Sequence, residues 1–173
     1  MKKVLLIASI ILFLPAPLQA QWTFDKPKEE KPLPNPYKVN LKRDIAVGAA
    51  LQVLERMDFA LNDQASKVRE GKLITEKKVF IKGYNAQNQL KHFADVPASE
   101  VRNWTRGRVE ITVTVEPIDP NNSQIAVAAD FEGYVQDALG SEWVKTPSKG
   151  ILEDEILRAI LERLDRSPSP VKK

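Results

Sequence analysis

Two stretches of the chain alternate between apolar and polar side chains, and they dictate a sheet with one buried face. In Arg108 to Glu116, Val109, Ile111, Val113 and Val115 point one way, while Glu110, Thr112, Thr114 and Glu116 point the other. In Gln124 to Phe131, Ile125, Val127, Ala129 and Phe131 oppose Gln124, Ala126, Ala128 and Asp130. A period of two is the pleat of a β-strand. The segment between them, Pro117-Ile118-Asp119-Pro120-Asn121-Asn122-Ser123, is rich in turn formers. The two runs therefore form an antiparallel hairpin with one apolar and one polar face.

An apolar sheet face needs a cover, and two amphipathic segments supply it. From Arg43 to Met57, Val47, Ala50, Leu51, Leu54 and Met57 share one helical face, with Gln52, Glu55 and Arg56 opposite. From Ile151 to Leu164, Leu152, Ile156, Leu157, Ile160, Leu161 and Leu164 form a wide apolar arc. Glu153, Asp154 and Glu155 fall in the first turn of that second helix, where carboxylates complement the N-terminal dipole. Tyr37 to Leu41 alternates as a short strand, Phe59 and Leu61 suggest another, and Lys72 to Ile81 is β-rich after a turn at Glu70-Gly71. The order predicts an α+β fold, a two-layer sandwich of an antiparallel sheet with two main helices on one face.

The ends of the chain have a different composition. Met1-Lys2-Lys3, the apolar stretch Val4 to Leu14 and the Pro15 to Ala20 segment read as a signal peptide over 1–20. These eleven residues, apolar except for Ser9, span only about 16 Å as a helix, too short for a bilayer core. A Pro/Lys/Glu-rich linker over 21–36, a single α+β domain over 37–165 with an insertion at 83–107, and a disordered tail over 166–173 complete the expected plan. The chain is thus expected to be periplasmic or secreted, with no transmembrane span after processing. Zero cysteines mean that burial alone must hold the fold. Removing the leader takes away Lys2 and Lys3 and no acid, leaving 24 Lys plus Arg against 23 Asp plus Glu, a net charge of +1. That balance supplies no broad positive field, so the reading is of no nucleic acid partner.

Glu70-Gly71-Lys72-Leu73-Ile74-Thr75 entering the sheet, Trp143 in a connection and a closing helix from Gly150 to Leu164 give a strand, helix, antiparallel sheet, helix order. This order resembles the helix-grip (TBP-like) α+β domains of bacterial envelope proteins, such as the C lipoprotein of the outer-membrane β-barrel assembly machinery. The resemblance covers roughly Tyr37 to Leu164 and implies an envelope location and a helix-gripping sheet. This chain lacks that lipoprotein's anchoring cysteine and second domain copy, so membership of the assembly machine is not implied.

Chemistry is hard to place. His92 is the single histidine, with Asp95 and Ser99 nearby but no nucleophile-elbow pattern around any serine, so a plain polar loop histidine is the reading. Glu153, Asp154 and Glu155 point in different directions around a helix, and Asp119, Asn121, Asn122 and Ser123 suit a turn better than a calcium loop. No catalytic residue, metal ligand or cofactor-binding motif is assigned. The 83–107 insertion carries Arg102, Trp104 and Arg106, with Arg108 immediately after it as the fourth candidate partner-binding residue, and a short helix at Pro97 to Glu100 would put Val101 and Trp104 on one side. Arginines beside tryptophan bind anions through forked hydrogen bonds and stacking, whereas a tryptophan anchored in the core would leave the arginines solvated.

The expectation is a non-enzymatic, exported binding or assembly module of the bacterial cell envelope. Its partner would be an envelope protein or an anionic envelope polymer, with peripheral membrane contact also open to it. An alternative is a periplasmic carrier of a lipid or other apolar ligand, with Ala46, Gly48, Ala49 and Ala50 leaving space under the first helix. A third is an envelope hydrolase.

Overall fold

The computed structural model describes residues 31–97, 102–138 and 140–166. The expected signal peptide, the linker up to residue 30, the short helix around 97–100 beyond Pro97, and the tail from 167 lie outside the described residues. The described elements are β1 (Tyr37–Val39), α1 (Arg43–Arg56), a short 3-10 turn (Val68–Glu70), β2 (Lys72–Ile74), β3 (Lys78–Lys82), α2 (Ala86–Phe93), β4 (Asn103–Pro117), β5 (Ser123–Asp137), β6 (Gly140–Thr146) and α3 (Ile151–Asp165). They form a two-layer α+β fold with a six-stranded antiparallel sheet. No helix among the described residues is long and apolar enough to cross a membrane.

The β4–β5 hairpin is the spine. It is longer than the alternating runs that predict it, since pairing continues from Asn103↔Gln136 to Pro117↔Ser123. The predicted apolar set, Val109, Ile111, Val113, Val115, Ile125, Val127, Ala129 and Phe131, is buried throughout. Beside β5 lie β1 and β6, and beside β4 lie β2 and β3. The β-rich stretch from Lys72 to Ile81 is thus two strands on one partner. Between them Thr75 is fully buried and keeps the ladder continuous, donating its N–H to Ile111 O at 2.9 Å and accepting the Ile111 N–H on Oγ1 at 2.9 Å. Phe59 and Leu61 do not make a strand: Phe59 is buried core and Leu61 makes an isolated bridge to Thr75.

Helices α1 and α3 cover the apolar face. Ala46, Val47, Ala49, Ala50, Val53 and Leu54 of α1 are buried, as are Leu152, Ile156, Leu157, Ile160 and Leu164 of α3. The inward side of α1 is therefore rotated slightly from the predicted one, and Leu51 and Met57 sit half-buried at its margin. Helix α2, within the expected insertion, packs on the other end of the same face. Its Ala86 and Leu90 are buried, and Phe93 stacks on Phe131 at 6.0 Å and meets Phe80 edge-on at 5.6 Å. Much of the insertion is core structure.

Two glycines permit close approaches that no other residue tolerates. Gly71 adopts φ +84° after the 3-10 turn, and a Cβ there would lie 2.2 Å from Val115 O. At Gly133 a Cβ would lie 2.0 Å from Trp104 Cζ3, so the indole lies directly on the β5 backbone. Trp104 is 2% exposed, and its Nε1 has no hydrogen-bond partner among the described residues.

Residues 31–36, read from composition as the end of a tether, are docked on the domain. The outer edge of β5 is paired by β1 up to Ile125 and by β6 from Phe131, which leaves a gap. The Asn35 side chain fills part of it, donating Nδ2 to Val127 O at 2.6 Å and accepting the Val127 N–H at 3.1 Å. Leu33 N–H donates to Asp154 Oδ1 at 2.7 Å, and Arg158 donates to Asp154 Oδ2 at 2.7 Å and to Lys31 O at 2.8 Å. Burial opposes ionisation of Asp154, but the Arg158 and Leu33 donors outweigh it and hold its carboxyl below the ordinary range.

The indole-on-glycine contact predicts strong coupling. Trp104→Ala should cost about 3–5 kcal/mol in urea unfolding, and Gly133→Ala about 1–3 kcal/mol. In the Trp104→Ala background Gly133→Ala should cost little, because the ring it collides with is gone. Asn35→Ala should lose about 1–2 kcal/mol, since it strips the Val127 backbone of both partners.

Candidate functional site on the open sheet face

The face of the sheet away from the helices carries the polar half of each alternating strand. At the β3–β6 end it is built from long cationic and aromatic side chains. The pairing register lines up Lys82, Arg106, Tyr134 and Trp143 across β3, β4, β5 and β6. The adjacent row is Val79, Arg108, Glu132 and Lys145. Two irregularities set this alignment. β4 shifts register between Trp104 and Arg106, and β3 shifts between Val79 and Ile81. The extra residue in β4 lets Trp104 and Gly107 both turn to the core while Arg106 and Arg108 turn outward, a re-aiming that bulges commonly perform.

Side-chain contacts then order the rows. The Arg106 guanidinium lies over Tyr134 at 5.4 Å, and that of Arg108 lies over Trp143 at 3.9 Å. The Tyr134 and Trp143 rings touch at 5.1 Å between centroids. Glu132, 7% exposed, accepts from Arg108 Nε and, at 2.9 Å, from Lys77 Nζ. Burial opposes ionisation of Glu132, yet the hydrogen bonds and charges of Lys77 and Arg108 outweigh it and hold its carboxyl below its ordinary value of 4.5. Arg108 is thereby fixed and largely neutralised. Arg106, Lys82 and Lys145 have no carboxylate partner among the described residues, so their charge is left for something else.

A cleft of about 700 Å³ opens at this corner, lined by Val79, Lys82, Tyr84, Asn103, Arg106 and Gln136 together with Gly83 and Thr105. Tyr84 stands at its rim, 99% exposed. Gly83, at φ +105°, turns the chain there and donates its N–H to Thr105 O at 2.8 Å.

The four residues singled out in the sequence meet different fates. Arg106 and Arg108 share the open face. Arg102, just before β4, forms an ion pair with Glu142 at 2.6 Å and is no part of either row. Trp104 belongs to strand β4 and to the core, so it is a support and not a surface contact. Sequence reasoning missed Tyr134, Trp143, Lys82, Lys77 and Glu132. The sequence reading puts Trp143 in a connection because Ser141-Glu142-Trp143-Val144-Lys145-Thr146 does not alternate; the one signal there is Gly140, at the turn that closes at Asp137↔Gly140.

Other candidate chemistry is scattered. His92 lies exposed on α2, not in a loop, with its ring edge-on to Phe93 at 4.8 Å. Asp95 faces Lys149 at 3.8 Å, and Ser99 lies outside the described residues. Glu153 is buried with Oε1 accepting the Ala129 N–H at 3.3 Å, while Asp154 serves Leu33 and Arg158. Asp119 closes its turn by accepting the Asn121 and Asn122 N–H groups at 2.8 and 2.9 Å. The described residues contain no group of three or more His, Cys, Asp and Glu placed to hold a metal ion.

The depressed Glu132 carboxyl gives a signed prediction. Its stabilisation is present in full above the unfolded value of 4.5 and is lost as pH falls through the lower folded value. Glu132→Gln should therefore be less stable than the parent at neutral pH by about 1–3 kcal/mol. The gap should narrow progressively below pH 4.5 in urea unfolding followed across pH. No protein-family model matches the chain, and no curated protein is significantly similar to it.

Proposed function

We propose that the chain is an exported, non-enzymatic binding or assembly module of the bacterial cell envelope, and that the β3–β6 end of its open sheet face makes the contact. The observation that carries this reading is the ordered but unneutralised charge there. Arg106 is held in place by the Tyr134 ring and has no carboxylate partner among the described residues, beside an equally unpaired Lys82. A guanidinium pre-set by stacking loses little freedom on meeting an anion, which is how pre-organised sites gain affinity. The neighbouring Arg108 and Lys77 are satisfied by Glu132, so the surface combines a neutralised base with a charged rim. An anionic envelope polymer or an acidic face of an envelope protein suits this pattern.

The carrier reading draws less support from the packing. Ala46 and Ala50 are each 0% exposed, which fits small side chains used to seat α1 close against the sheet.

The test is retention on envelope material. Lys82 and Arg106 make no ion pair among the described residues, so Lys82→Glu combined with Arg106→Glu should leave the circular-dichroism spectrum and melting temperature nearly unchanged. The same variant should lose most of its retention on isolated envelope fractions at low salt. Unchanged retention with an intact fold would remove this face as the contact surface.

A further inference from the structure

We infer that the partner is an acidic polysaccharide, laid across the strands at the Lys82–Arg106–Tyr134–Trp143 row and entering the cleft beside Tyr84. This rests on the reading that this end of the open face is the contact surface.

The row crosses four strands, roughly 14 Å at the usual inter-strand spacing. That is the footprint of a thin chain and not of a globular partner. Its chemistry runs from cation to ring along its length: Lys82 and Arg106 pair side by side across β3 and β4, followed by Tyr134 and Trp143. Directly paired side chains are close enough to engage one anion together. Beside them the cleft adds the side-chain amides of Asn103 and Gln136, which donate and accept in the manner sugar hydroxyls require. Tyr84, 99% exposed, offers a bare aromatic surface for the C–H face of a sugar ring.

Competing partners fit less well, each for a physical reason. A single-stranded nucleic acid stacks successive bases on successive aromatic faces, whereas Tyr134 and Trp143 each hold a guanidinium over the ring, which leaves Tyr84 as the one bare face of this site among the described residues. A flat anionic membrane lying on this face would also press against Glu110 and Asp130. Those two carboxylates sit directly opposite each other, two residues further along β4 and β5 from Arg108 and Glu132, with no cation partner among the described residues. A thin chain crossing at the end rows avoids them. A protein partner needs a desolvated apolar centre, and Val79, 36% exposed, is the one large aliphatic side chain of these two rows.

The experiment titrates the purified protein with four probes at low salt: an oligogalacturonate, a neutral malto-oligosaccharide of equal length, phosphatidylglycerol vesicles and single-stranded oligothymidylate. The oligogalacturonate should bind at least tenfold more tightly than each of the others. Lys82→Glu with Arg106→Glu should weaken it at least tenfold and flatten its salt dependence. Tyr84→Ala should weaken it several-fold while leaving the salt dependence unchanged. Equal binding of the neutral sugar, or tighter binding of vesicles or oligothymidylate, overturns the proposal. So does absence of oligogalacturonate binding. If that absence accompanies loss of envelope retention in the double-charge variant, the ligand class falls and the contact surface stands; if retention is also unchanged, both fall.

Discussion

The pairing of β4 with β5 is the interaction on which the rest of this molecule depends. Two fifteen-residue strands put a continuous apolar row on one side, and that row has to be covered before the hairpin is stable in water. Helices α1 and α3 cover its middle and near end, while α2 and Trp104 cover the far end. The seating of Trp104 on the bare backbone of Gly133 lets the sheet run on past the limits of the helix pair. Without that contact the start of β4 and the end of β5 would carry an exposed apolar edge. With it, they become a rigid base for side chains on the opposite face.

The open face shows how one set of charges can serve both structure and recognition. Glu132 is buried enough to need partners, and Arg108 and Lys77 provide them. This triad turns a costly buried carboxylate into a fixed platform whose Arg108 lies over Trp143, and Trp143 in turn touches Tyr134. Arg106 is ordered by stacking instead of by an ion pair, and so retains its charge. Two register shifts, one in each of β3 and β4, make the arrangement geometrically available by keeping the core-facing parity while bringing Lys82 and Arg106 level.

Much of the fold was legible in the order of residues. The Val109 to Val115 and Ile125 to Phe131 alternation located the hairpin and its inward side, and the heptad-like apolar arcs of α1 and α3 located their cover, because those patterns report burial directly. Helix α2 was harder to see. Its inward positions are Ala86, Leu90 and Phe93, and the remaining residues are so polar that the segment reads as a loop. Strand β6 was obscured because Ser141, Glu142, Trp143 and Lys145 give a sheet-edge strand too little apolar contrast. Half of the candidate site was legible, through Arg106 and Arg108. Lys82, Tyr134 and Trp143 were not, since they come from three separate strands and nothing in their local sequence announces that they meet.

The order of residues by itself determined that the chain makes an antiparallel sheet with one apolar face, covered by amphipathic helices and held without cross-links. Those properties follow from local periodicity and composition, which act residue by residue. The tertiary structure decided which polar side chains stand next to each other, which arginine is neutralised, and that Trp104 is a pillar and not a contact. Those outcomes depend on strand register and bulges, and register is set by the whole set of packed partners at once.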